Sequence, residues 1–145
     1  MSCHIADENL KLVSELECVT HLMTAVQTHI KHAKVVKNAC MALTCLVEPD
    51  EESAYKVLNN PQADGTAIAG IPIIISAYHQ HKDNADVVEN ICSLFMELSE
   101  YKDIFSEMED LKCEKVLADV MRRFKENRDI MIPCQATLAK FSHNE

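Results

Sequence analysis

A chain of 145 residues with a net charge of −9 is long enough for one domain that buries about two thirds of the surface its unfolded form exposes. Two glycines, four prolines and no tryptophan are too few turn-formers for a many-stranded fold, so the composition points to helices. The acidic balance works against nucleic-acid binding, and no apolar run approaches the length of a membrane span, about 18 residues.

The opening MSCHIADENLKLV has neither the basic start nor the apolar core of a signal peptide. The seven cysteines, at positions 3, 18, 40, 45, 92, 113 and 134, are scattered, unlike a disulfide framework or a zinc ribbon. Reduced thiols in a cytoplasmic chain are therefore expected, with the nucleus as the alternative compartment.

From Val19 the chain repeats itself. VTHLMTAVQTHIKHAKVVKNACMAL (Val19 to Leu43), IPIIISAYHQHKDNADVVENICSLF (Ile71 to Phe95) and EKVLADVMRRFKENRDIMIPCQATL (Glu114 to Leu138) align without gaps, their starts 52 and 43 residues apart. The longer first spacing is taken up by NNPQADGTAIAG, which holds both glycines and Pro61 and reads as a loop insertion. In the middle stretch Ile74, Ile75 and Tyr78 precede the polar break HQHKDNAD. Val87, Val88, Ile91, Leu94, Phe95 and Leu98 follow it at helical spacing. Each stretch is thus predicted to be a helix, a turn and a longer helix, and EESAYKVLNN and EYKDIFSEM each add a short helix. One domain, residues 1–145, would contain units of about 10–48, 49–99 and 100–145. Pro72 fits a first helical turn, where its missing N–H is not needed. Pro133, standing where Asn38 and Asn90 stand, is expected to delay or kink the last helix at its first turn.

The segment AGIPIIISAYHQHKDNADVVENICSLFMELSE resembles an armadillo repeat, with its Gly-Ile-Pro opening, polar turn and Val-x-x-Asn-x-Cys-x-x-x-x-x-Leu-Ser helix. VVKNACMALTCLV follows the same signature and IMIPCQATLAKFS a looser form of it, so the resemblance spans residues 16–142. It implies an all-α fold, a right-handed α-solenoid of about three armadillo-like repeats, with the third helices lining a concave surface. Peptide-binding members of that family carry a Trp and, four residues later, an Asn on this surface. Here the Trp place falls on Met41, Ser93 and Ala136, and the Asn place on Cys45, Glu97 and Lys140. Neither residue type is present, which favours side-chain contact with a protein surface or helix over backbone capture of an extended strand. One turn earlier the same face adds Lys37, Glu89 and Ile132.

His29 and His32, and one unit later His79 and His81, fall near helix ends. Positions i and i+2 diverge on a helix, so capping or solvated histidines are expected and no metal site. Cys40, Cys92 and Cys134 occupy places equivalent to within one residue and read as packing thiols, while Cys45 on the groove face is the candidate redox-sensitive thiol. The carboxylates of EPDEES and SEMED suit helix caps and turns. Arg122, Arg123 and Arg128, within seven residues, form either a solvated face or a candidate basic docking patch for an acidic partner. No glycine loop, nucleophile elbow or metal motif is found, so no catalytic residue and no cofactor is expected.

The functional expectation is a non-enzymatic interaction module, adaptor or scaffold, that binds a protein or peptide and neither nucleic acid nor membrane. The alternatives are an armadillo regulatory segment of a larger signalling protein, for example one with a kinase module, and a thiol- or metal-based sensor. Met131, Ile132 and Leu138 leave an apolar face on the last helix, to be covered by further repeats, a partner or a second copy.

Overall fold

The computed structural model describes residues 16–142. The described part of helix α1 covers residues 16–28. It is followed by α2 (Ala33–Val47), α3 (Glu51–Leu58), α4 (Gly70–His81), α5 (Ala85–Leu98), α6 (Lys102–Asp110), α7 (Cys113–Arg123) and α8 (Arg128–Ser142). The described chain is all-α except for one small ribbon. The three aligned stretches each form a helix-turn-helix, α1–α2, α4–α5 and α7–α8, and α3 and α6 are the expected short helices.

Local chemistry sets several boundaries. Asp50 starts α3 by accepting from the Glu52 N–H (3.2 Å) and the Ser53 hydroxyl (2.8 Å), and Asn84 starts α5 by accepting from the N–H groups of Asp86 and Val87. Pro72 is the third residue of α4, within the first turn, where no intrahelical donor is required. Pro133 does not delay α8. That helix begins at Arg128 and runs through the proline, because Asn127 already accepts from the Ile130 N–H and nucleates the turn ahead of it. Lys112 enters α7 with a left-handed backbone, φ 59°.

The insertion is not a plain loop. Asn60–Pro61 pairs antiparallel with Ala67–Ile68, closed by a turn in which Gly65 takes φ +89° and Asp64 accepts from the Thr66 N–H and hydroxyl. The buried Asn60 side chain donates to the Thr20 hydroxyl of α1 (3.1 Å), which pins the ribbon to the helices.

Packing follows one pattern along the chain. Helix α2 packs on α5 and α5 on α8, and behind this row α4 packs on α7. The short helices sit at the corners, α3 against α2, α4 and α6, and α6 against α7. A continuous core runs through all of them, with Met23, Leu43, Ile74, Tyr78, Leu94, Phe95 and Leu117 fully buried. Cys40, Cys92 and Cys134 lie in it, as does Cys113. Burial pushes the Cys40 and Cys113 thiols up to about 12, so both stay protonated at neutral pH.

Candidate functional site

The row α2–α5–α8 carries the nine positions singled out for a groove. Lys37, Met41 and Cys45 lie on α2, Glu89, Ser93 and Glu97 on α5, and Ile132, Ala136 and Lys140 on α8. All nine stay out of the core: Met41, Cys45, Ile132 and Ala136 are exposed and the other five half-buried. On α2 the reason is visible in the sequence. Val36, Cys40, Leu43 and Val47 fill the buried face, so the i, i+4 set of Lys37, Met41 and Cys45 is turned away from it.

The stripe is an apolar surface with charges set into it. Among the described residues the exposed large hydrophobic side chains are Met41, 45% exposed, and Ile132, 59% exposed, and both belong to the stripe. Between them Glu97 is held above the ordinary carboxylate range, first by burial and then by the nearby Glu48 and Glu100 carboxylates, with the Lys140 ammonium opposing. Lys140 donates to the Ser99 hydroxyl (2.8 Å) and to Glu100 (2.9 Å), linking the end of α8 to the end of α5. At the other end of the stripe Lys37 lines a shallow hollow of about 220 Å³ with Ala33, Lys34, Asn84, Asp86 and Val87.

Two of the three arginines, Arg123 and Arg128, line one hollow of about 620 Å³ with Phe124, Lys125, Glu126 and Asn127. Arg122 and Arg123 on α7 both donate to Asp119, and Arg123 also reaches Asp83 at 2.8 Å. The Tyr78 hydroxyl donates to the same Asp119 carboxylate. That bond, with the two guanidinium groups, lowers the Asp119 carboxyl to about 2. Much of the positive charge at positions 122 and 123 is thereby matched within the fold, while Arg128 opens α8 beyond the turn. The imidazoles are likewise separated in role. The His81 ring bonds the Ile30 carbonyl at 2.7 Å, tying the end of α4 to the α1–α2 turn, and the His29 and His32 rings lie 5.8 Å apart, tilted by 60°. Among the described residues no group of three or more His, Cys, Asp or Glu is placed to hold a metal ion. No helix there is long and apolar enough to cross a membrane.

Sequence reasoning missed one surface. Cys18, His21 and Leu22 of α1 and Ala42, Cys45 and Leu46 of α2 line an apolar hollow of about 460 Å³. Only the comparison of aligned positions signals it: the equivalents Ile74, Leu94 and Leu98, and again Leu117 and Thr137, are fully or almost fully buried, whereas Leu22, Ala42 and Leu46 are not. Against known proteins, the sequence matches no family model and the fold matches no solved structure.

Proposed function

We propose that this chain is a non-catalytic protein-binding module, an α-solenoid of about three armadillo-like repeats, which holds a partner protein or peptide helix on the stripe across α2, α5 and α8. One observation carries the reading. The two exposed large hydrophobic side chains among the described residues, Met41 and Ile132, stand at opposite sides of a stripe whose centre presents Glu89, Ser93 and Glu97. Exposed apolar groups that rim fixed charges are the makings of a recognition surface, since the apolar contacts supply affinity and the charges orientation. Side chains dominate the stripe, and α-helices satisfy their own backbone, so a partner helix suits it better than an extended strand. The packing of α2 on α5 and of α5 on α8 keeps the surface preformed.

The test is a selection of helical peptides on the immobilised chain, followed by titration of the selected peptide in solution. Met41→Glu with Ile132→Glu places two charges on the stripe and is expected to weaken binding about 100-fold or more, with helicity unchanged by circular dichroism. Undiminished binding to that double variant would contradict the assignment.

A further inference from the structure

We infer that the edge formed by the α1–α2, α4–α5 and α7–α8 turns is a second contact surface of this chain, which docks an acidic, Asp- or Glu-rich segment of a partner protein. The chain reverses its charge there. Residues 29–37, 79–86 and 119–129, which hold the three turns, carry eight of the fourteen Lys and Arg residues but five of the twenty-three Asp and Glu. The remainder is correspondingly more acidic than the net charge of −9.

The fold sets the three turns side by side. The bond from the His81 ring to the Ile30 carbonyl joins the second to the first, and the 2.8 Å pair of Arg123 with Asp83 joins the third to the second. With neighbouring helices about 8–10 Å apart, the edge runs about 20 Å, the reach of about six extended residues. Its cations face solvent. Arg123 is engaged by Asp119 and Asp83, and Arg122 shares Asp119 but keeps a side chain that is 71% exposed. Lys31, Lys34, Lys125 and Arg128 are exposed and Lys82 half-buried, and none of these five is ion-paired among the described residues. Each turn is also hollowed: beside the hollow at residues 123–128 lie one of about 610 Å³ at residues 79–84 and the smaller one at Lys34 and Lys37. A carboxylate seated in such a recess meets these cations with less screening than on a flat face.

A short acidic peptide confines its charge to the edge. A nucleic-acid strand or an anionic membrane extends beyond it and meets the acidic remainder of the chain, which repels it. The edge adjoins the stripe at Lys37, yet it stands whether or not a partner occupies the stripe.

The experiment is a fluorescence-anisotropy titration of labelled hexaglutamate with the full chain at about 50 mM salt, where screening is weak. Saturable binding is expected, weakening as salt is raised. Lys31→Glu with Lys125→Glu is expected to weaken it about tenfold or more, and Lys31→Gln with Lys125→Gln by less, with circular dichroism unchanged in both. Lys102→Glu with Lys115→Glu changes the net charge equally at exposed cations on α6 and α7 away from the turns, and is expected to shift binding by about twofold or less. Three results would overturn the proposal. They are the absence of saturable hexaglutamate binding, an equal loss in the two Glu variants, and tighter binding of hexathymidylate or of phosphatidylserine vesicles than of hexaglutamate.

Discussion

Helices α2 and α5 share a register and differ in surroundings. Met41 and Ser93 are equivalent, as are Cys45 and Glu97, yet the α2 residues are exposed and the α5 residues half-buried. Helix α5 is packed on both flanks, by α2 and by α8, so even the face turned from the core loses much of its solvent. Helix α2 has α5 on one flank and the apolar hollow on the other. The contrast teaches that exposure along the row is set by what stands beside each helix and not by its buried face, where Val36, Cys40 and Leu43 of α2 match Val88, Cys92 and Phe95 of α5.

The largest effect that should follow from this contrast is at Leu94. It is fully buried in α5, and Leu94→Ala is expected to cost about 2–5 kcal/mol in urea unfolding through lost transfer energy and a residual cavity. Met41→Ala on α2 is expected to stay within about 0.5 kcal/mol of the parent, since its side chain is already half in water. Similar costs at the two positions would break the comparison.

A smaller, sharper difference is expected between Gly70 and Cys18, which occupy equivalent places. Gly70→Ala drives a methyl group into the Val57 carbonyl and is expected to lose about 1–3 kcal/mol, read as a lower urea midpoint. Cys18→Ala, on the open side, is expected to change stability by about 0.5 kcal/mol or less. Equal tolerance at the two sites would mean that α3 yields to the methyl group.

The smallest effect concerns pH. Glu97 has a raised carboxyl in the fold, so the folded chain takes up its proton at higher pH than the unfolded chain does. Stability from this group is therefore present below its ordinary value of 4.5 and lost as pH rises through the folded value. Glu97→Gln is expected to flatten the decline above pH 4.5 and to raise the urea midpoint modestly at neutral pH. A steeper decline in the variant would show that Lys140 outweighs burial and the neighbouring carboxylates.

Local pattern made the helices legible. Apolar spacing placed α4 and α5 around HQHKDNAD, the carboxylates of EPDEES suited a helix cap such as Asp50 provides, and the internal alignment gave all three helix pairs. Pro133 misled because its missing N–H was weighed without Asn127, which starts α8 a turn and more ahead of it. The ribbon at Asn60 and Ile68 escaped notice because two-residue strands carry no periodicity. The nine stripe positions could be placed on one face by helical arithmetic, but their graded exposure could not, since that depends on which helices flank them. Asp119 lies 41 residues from Tyr78 and 36 from Asp83, and its joining of Tyr78, Arg122 and Arg123 is a product of α4 meeting α7. The hollow is legible only once Leu46 is set beside Leu98 and Phe141 in three dimensions.

The most direct test of the proposed function is amide hydrogen exchange of the full chain with and without a saturating selected peptide. The account predicts slowed exchange within residues 37–45, 89–97 and 132–140, and unchanged exchange along α4 and α7. Protection confined to α3, α6 or the α4–α7 side would contradict it and move the binding surface off the stripe.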